Sequence, residues 1–212
     1  MEPPALPRLV LITDWRLPPE QLLGALARAL DAGPDVAVQH RHPGASGRRF
    51  LEEARLLAAL CRERGNPLFV NGRLEVALLV GAHLHLPAQG LAPEDVRAYL
   101  PAGRLVSVAV HDEAEARAAR GADLALVSPV FSPGSKPGDT RAPLGVGGFE
   151  TLAAALPCPA LALGGITPER AETVRGAAGF AVISAVLEAE DPEAAARTLL
   201  AACPPQAMLR VP

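Results

Sequence analysis

Several polar residues directly follow short apolar runs, at the points where strands would end. Gln39 and Arg41 close the run VAVQHR, Asn71 closes LFVN, and His111 follows VSVAV. Polar groups that collect at one end of many strands indicate a ligand site, so we expect Gln39, Arg41 and Asn71 to bind substrate. An imidazole titrates near neutral pH and can both take and give a proton. His111 is therefore the candidate catalytic residue.

Two segments towards the C-terminus have the pattern of an anion site. LGGIT (163–167) and VISA (182–185) each end an apolar run with small residues and start a helical pattern. Backbone N–H groups at such starts can face a phosphate, and glycine allows it close approach. The alternative is that the glycines serve packing. The phosphate-binding residues are predicted to be Gly164, Gly165, Ile183 and Ser184.

One long irregular segment, 129–148, carries Ser135, Lys136 and Arg141 among proline and glycine. Loops of this length in a compact domain are usually functional lids or surface segments without fixed structure. We expect Ser135 and Lys136 to close over the bound phosphate. For Arg141 a ligand contact and a solvated surface charge are equally good interpretations.

Two histidine pairs have the i, i+2 spacing that places both imidazoles on one face of a strand. They are His40 with His42 and His83 with His85. If Gln39 and Arg41 point inward, however, His40 points outward, and no acidic residue accompanies either pair at ligand spacing. We therefore predict no metal site from these histidines.

These residues are embedded in an alternation of short apolar runs and longer Ala/Leu/Arg/Glu stretches with helical spacing. Eight such units fit into the chain, which predicts a parallel sheet with helices outside it. Eight repeats favour a single α/β (β/α)8 TIM barrel over an open doubly wound sheet, although periodicity does not show closure. The active site of such a barrel lies at the carboxyl ends of its strands. Helices are predicted over 149–156 and 168–176.

Composition and net charge argue against a nucleic-acid-binding protein and against a membrane-spanning protein. The 212 residues are 50% hydrophobic but only 3% aromatic, and the formal net charge is -3. A nucleic-acid surface would be strongly basic, and no apolar run is long enough to span a membrane, so we expect neither partner. The three scattered cysteines and the lack of a secretion signal fit a cytoplasmic protein. We expect one domain over 1–212, with 1–7 and 204–212 as loosely held tails.

In this order, the strings at the strand ends resemble those of the thiamine-phosphate synthase and thiazole tautomerase (TenI-like) superfamily of thiamine biosynthesis. The resemblance runs from about residue 11 to about residue 202. Its marks are LITD (11–14), VQHR (38–41), VNGR (70–73), HLHLP (83–87), VAVH (108–111), SPVFSPGSKPG (128–138), ALGGIT (162–167) and AVISAV (181–186). The resemblance implies the same barrel and a small phosphorylated thiazole as substrate.

Four departures from the synthase pattern decide between the branches. The synthase joins a pyrimidine pyrophosphate to a thiazole phosphate, with Mg²⁺ on the leaving pyrophosphate. The resemblance places its two Asp ligands at Gly72 and about Gly90, its Lys at Pro43 and a Ser at Ala109. Losing both carboxylates removes the hard oxygen ligands that Mg²⁺ needs. We therefore expect the tautomerase branch, an isomerase without a cofactor.

In the tautomerase interpretation, His111 moves the proton that aromatises a carboxythiazole phosphate, and Arg41 with Gln39 holds the carboxylate. Two alternatives stay open. One is a thiamine-phosphate synthase, a transferase that would require Mg²⁺. The other is a catalytically silent barrel that binds a phosphorylated ligand. A homo-oligomer is also left open.

Overall fold

The computed structural model describes residues 4–132 and 141–204. Its eight strands are all parallel and close into one barrel in sequence order, with β1 paired to both β2 and β8. The predicted (β/α)8 barrel is therefore confirmed, including its closure. The strands are β1 Leu9–Ile12, β2 Val36–His40, β3 Leu68–Asn71, β4 His83–Leu86, β5 Val106–Val110, β6 Leu124–Val127, β7 Ala160–Leu163 and β8 Gly179–Val182.

Helices follow the strands and cover the outside of the barrel. Within the described residues they are α1 Pro19–Leu30, α2 Gly47–Arg64, α3 Leu74–Val80, α4 Pro93–Arg97, α5 Glu113–Ala118, α6 Gly145–Ala155, α7 Pro168–Ala171, α8 Ser184–Leu187 and α9 Pro192–Ala201. None of the helices described is long and apolar enough to cross a membrane.

Strand alternation divides the apolar side chains between two clusters. An inner cluster fills the barrel and includes Val10, Ala37, Phe69 and Leu126. The residues next to these in each strand, such as Leu11, join the larger outer cluster beneath the helices. Because successive side chains of a strand point to opposite faces, these clusters show which polar residues face the barrel interior.

A side chain caps the beginning of α5, and a glycine ends α2. The carboxylate of Asp112 accepts a hydrogen bond from the Glu115 N–H at 2.9 Å and caps α5. Gly65 ends α2 in the left-handed conformation with φ 73°. A residue with a Cβ avoids this region, so glycine is the favoured stop.

Two predicted helix boundaries are wrong. Helix α6 begins at Gly145 rather than at 149, because the Leu144 and Gly145 N–H groups donate to the Pro129 and Val130 carbonyls and hold this segment on the barrel. The buried Phe149 and Leu152 add packing that overrides the poor helix propensity of glycine. Helix α7 ends at Ala171 rather than at 176, since the chain continues in tight turns.

The barrel closes where β8 meets β1. A Cβ built on Gly179 would lie 2.0 Å from the Arg8 carbonyl oxygen, so only glycine fits at this crossing. The Phe180 N–H donates to the same carbonyl at 2.9 Å. The Arg8 guanidinium donates to Asp35 and to the carbonyls of Leu200 and Cys203. Arg8 thereby ties the first strand to the last helix.

Candidate active site

The candidate site lies at the mouth, which we define as the carboxyl end of the eight strands. Gln39 and Asn71 lie on the same strand faces as the inner residues Ala37 and Phe69, so both side chains face the barrel interior. By the same alternation His111, which follows the outward Val110, belongs to the inward set. The structure thus places Gln39, Asn71 and His111 on the inner face of the barrel, at the carboxyl ends of their strands.

Strand β2 presents two unusual donors. Gln39 is 2% exposed, and its Nε2 has no hydrogen-bond partner among the described residues. Two positions on, the Arg41 guanidinium is half-buried, and the hydrogen bonds that Arg41 makes to described residues all involve its backbone. Burial lowers the pKa of Arg41, opposed by the negative charge of Asp14. A buried donor without an acceptor is costly, so this face is suited to bind a ligand oxygen.

The outward neighbours of these donors form a separate structural cluster. The His40 Nδ1 accepts a hydrogen bond from the Trp15 indole at 3.2 Å, and its Nε2 lies 3.1 Å from the Phe50 carbonyl. Burial lowers the pKa of His40 to about 4. His42 pairs with Glu53 at 2.8 Å. Both histidines therefore pack between β2 and α2 and do not face the mouth.

His111 is oriented by a carboxylate that the sequence reasoning missed. One oxygen of Glu115, Oε2, accepts the His111 backbone N–H at 2.7 Å and lies 2.8 Å from its Nδ1. A carboxylate only accepts, so the Nδ1 carries the proton and Nε2 is left for a ligand. The i, i+4 spacing of His111 and Glu115 could have revealed the pair, because a helix begins between them.

A second missed feature is a polar pair inside the barrel. Nδ1 of His85 lies 2.9 Å from the Ser107 hydroxyl, and the two residues are 5% and 1% exposed. His85 is also the register partner of Asn71 on the neighbouring strand. Asn71, His85 and Ser107 are therefore register neighbours on three successive strands, an arrangement that only strand register reveals.

The glycines after β7 are required first of all by packing. A Cβ on Gly164 would lie 2.8 Å from Pro129 Cα, and one on Gly165 would lie 2.7 Å from the Ser132 carbonyl oxygen. Their φ angles of 100° and 62° also favour glycine. The loop after β6 thus rests on the loop after β7. Arg170 fastens both, because it donates to the Gly165 carbonyl at 2.9 Å and lies over the Phe131 ring.

The same loops still offer donors to an anion. The Gly164 carbonyl accepts from Phe131, but no hydrogen bond among the described residues uses the N–H of Gly165 or Ser184. Ser184 starts the short helix α8, directly after Ile183. The four predicted phosphate-binding residues therefore lie on two adjacent strand ends, β7 and β8. Ser135 and Lys136 lie outside the described residues, so their predicted roles stay predictions.

The residues at the implied magnesium positions do not fit that ion. Gly72 and Gly90 carry no ligand atoms in their side chains, and both pack on Pro87. The described part of the chain contains no group of three or more His, Cys, Asp and Glu side chains able to hold a metal. Asp14, the carboxylate that follows β1, is held by Arg16 at 2.9 Å, and this hydrogen bond lowers its pKa. No step is therefore assigned to a metal ion.

Comparison with known proteins decides the family. A family model described as thiamine monophosphate synthase matches residues 9–186. The chain belongs to the thiamine monophosphate synthase family. This family member is 38% identical over 196 residues to the thiamine-phosphate synthase of Azorhizobium caulinodans, which covers 90% of this chain and 92% of the relative. It is 39% identical over 198 residues to that of Chloroflexus aurantiacus, covering 92% of this chain and 91% of the relative.

Comparison with solved structures agrees with this placement. The thiamine phosphate pyrophosphorylase of Pyrococcus furiosus superimposes with a TM-score of 0.79 at 32% identity, covering 92% of this chain and 94% of that chain. The 3-hexulose-6-phosphate synthase of Salmonella typhimurium has a TM-score of 0.67 at 20% identity, covering 92% and 97% of the two chains. The second likeness shows the shared barrel alone.

These relatives correct the predicted activity. The expectation of a thiazole tautomerase, an isomerase, is wrong, because the similar curated members of the thiamine monophosphate synthase family are named thiamine-phosphate synthase. The expectation rested on the residues at positions 43, 72, 90 and 109. Similarity over nine tenths of the chain outweighs these four differences. The chain is an enzyme of the synthase family, and the departures remain local features of its site.

Proposed function

We propose that this chain is a transferase of the thiamine-phosphate synthase type, which joins a pyrimidine pyrophosphate to a thiazole phosphate. The observation that carries the proposal is the 38–39% identity to synthases over at least nine tenths of the chain. The reaction needs places for two anionic groups at one mouth. The loops after β7 and β8 and the inward face of β2 offer two such places.

The thiazole phosphate is assigned to the loops after β7 and β8. Backbone N–H groups of Gly165 and Ser184 are available there, as no other described residue uses them. N–H groups that converge on a concave backbone bind phosphate oxygens well. Gly164 and Ile183 shape the two loops, and we assign Ser135 and Lys136 to closing over the ligand.

The pyrophosphate is assigned to β2. When its bond to the pyrimidine breaks, the electron pair leaves with the pyrophosphate, so negative charge grows there. The half-buried guanidinium of Arg41 can balance this charge, and the unpaired Nε2 of buried Gln39 can donate to a neighbouring oxygen. Asn71, on the next strand, supplies a further amide on the same inner face.

His111 is assigned a hydrogen bond to the substrate through Nε2. Glu115 holds the other ring nitrogen, so the ring cannot turn without breaking a charged hydrogen bond. An imidazole fixed in this way can hold or pass a proton at the reacting end of the ligand.

The activity is tested by incubating the protein with both synthase substrates and measuring thiamine phosphate and released pyrophosphate, with and without Mg²⁺. We expect both products in equal amounts. Arg41→Gln should lower kcat/KM by roughly tenfold or more, the usual effect of losing a charge-assisted hydrogen bond in a dry site. Arg117→Gln is the matched control, because Arg117 pairs with Glu113 on the exposed face of α5. Absence of both products in either buffer would disprove the proposal.

A further inference from the structure

The edge of the mouth between β3 and β4 is closed by one proline ring. A Cβ on Gly72 would lie 3.6 Å from Pro87 Cδ, and one on Gly90 would lie 3.1 Å from the same atom. Pro87 thus stands between the two positions that the family resemblance assigns to magnesium ligands. Neither position supplies a side-chain oxygen, and a side chain at position 90 would meet Pro87 too closely.

Backbone hydrogen bonds hold this closed arrangement. The Gly72 N–H donates to the His85 carbonyl, and the Gly90 N–H donates to the Pro87 carbonyl, both at 2.8 Å. A Cβ on Gly90 would also lie 2.9 Å from the Pro87 carbonyl oxygen. Because that atom belongs to the backbone, a carboxylate at position 90 requires the whole turn to move. Restoring a carboxylate at position 90 therefore needs a backbone change as well as a new side chain.

A positively charged side chain follows the neighbouring strand β2. The backbone of Arg41 is fixed by the buried Thr13, whose hydroxyl accepts the Arg41 N–H at 2.9 Å and donates to its carbonyl at 3.0 Å. The guanidinium extends from this fixed point without a hydrogen bond to any described residue, beside the unpaired amide of Gln39. A fixed, half-buried cation with free donors is suited to an oxyanion.

We propose that pyrophosphate binds at the mouth of this chain without a protein-held divalent cation, with its charge balanced by the guanidinium of Arg41. The proposal rests on the assignment of pyrophosphate to β2 under the proposed function. It concerns binding, and it requires no covalent step.

The test uses inorganic pyrophosphate and the full chain. Calorimetric titration in EDTA should show one pyrophosphate bound per chain, with an affinity no weaker than in Mg²⁺. Arg41→Gln should weaken this binding by about tenfold or more, as expected for a charge-assisted hydrogen bond. Arg117→Gln removes the same charge from a distant exposed ion pair and should leave binding unchanged.

The cation is followed separately by the paramagnetic resonance signal of free Mn²⁺. Protein is added to Mn²⁺ alone and to a mixture of Mn²⁺ and pyrophosphate. In neither case should the added protein lower the signal of free Mn²⁺. The proposal would be overturned if the signal of free Mn²⁺ fell by one equivalent per chain. It would also be overturned if calorimetry showed that pyrophosphate binds only with Mg²⁺, or does not bind at all. Metal-free binding without turnover would count against the proposed function alone, whereas turnover with a protein-bound Mn²⁺ would count against this inference alone.

Discussion

At the scale of single residues, one carboxylate oxygen decides how His111 works. Oε2 of Glu115 lies within 2.8 Å of both the backbone nitrogen and Nδ1 of His111. Two donors on one acceptor fix the position of the ring as well as the location of its proton. Glu115 does not need to touch the ligand for this, so we regard it as a positioning residue.

Replacing Glu115 with Ala should lower kcat by roughly ten- to a hundredfold, the range seen when the partner that orients a functional histidine is removed. KM should change little, because the groups assigned to binding are intact. Nitrogen NMR of the imidazole should show that the proton is no longer confined to Nδ1. Glu113→Ala, which breaks only an exposed pair with Arg117, is the control. Equal tautomer mixtures in the Glu115 variant and the unmutated protein would contradict the assignment.

At the scale of elements, the loops after β6 and β7 behave as one unit. The Ser132 carbonyl and the Phe131 side chain pack directly against Gly165, and Arg170 fastens both. The glycines that look like a phosphate motif therefore also support the neighbouring loop. Both packing and phosphate binding require glycine at positions 164 and 165. The sequence pattern is therefore compatible with a packing role and a phosphate-binding role at the same time.

Gly165→Ala should destabilise the protein by about 1–3 kcal/mol, because the new Cβ meets backbone and φ is 62°. It should also raise KM for the thiazole phosphate, since Ser132 is displaced. Gly24→Ala is the matched control within helix α1, where nothing lies within 4 Å of the added Cβ. That change should stabilise by about 0.5–1 kcal/mol. Urea unfolding measures both, and a Gly165 variant as stable as the unmutated protein would refute the packing argument.

At the scale of the whole molecule, buried histidines couple stability to pH. Burial lowers the pKa values of His40 and His83 to about 4. The charges facing His40 are those of Glu53, His42 and Arg73, whereas Arg104 and Asp123 face His83. In the unfolded chain both histidines titrate near the ordinary value of about 6.5.

Between pH 6.5 and 4, the unfolded chain therefore binds more protons than the folded protein. Stability from these neutral imidazoles is fully present above pH 6.5 and is lost as pH falls towards 4. Each histidine contributes a slope of up to about 1.4 kcal/mol per pH unit in this window. His83→Gln should reduce the slope by this amount between pH 6.5 and 5, measured by urea unfolding. An unchanged slope would show that His83 is not buried in the neutral form.

The sequence predicted the barrel because alternation of apolar runs and helical stretches is a local signal that repeats eight times. It also predicted that Gln39 and Arg41 share a face and that His40 does not, since strand periodicity alone decides this. It could not predict the contact of Pro87 with Gly72 and Gly90, which depends on how two loops pack. Nor could it predict the His85–Ser107 pair, because pairing across strands requires their register.

The early start of α6 shows a similar limit at the level of elements. Gly145, Gly147 and Gly148 disfavour a helix locally, and only their anchoring to the loop after β6 overrides that preference. The activity was mispredicted for a different reason. The residues at positions 43, 72, 90 and 109 differ from the synthase pattern, whereas the similarity to synthases extends over nine tenths of the chain.

The seam at Gly179 has a consequence for how the protein is made. It joins β1 to β8, the first and last strands of the barrel in chain order. At roughly 5–20 residues per second, the edge of β1 waits for its partner for most of the synthesis, on the order of ten to forty seconds. An unpaired strand edge can pair with another chain. The nascent chain therefore exposes an unpaired strand edge until β8 has been synthesised.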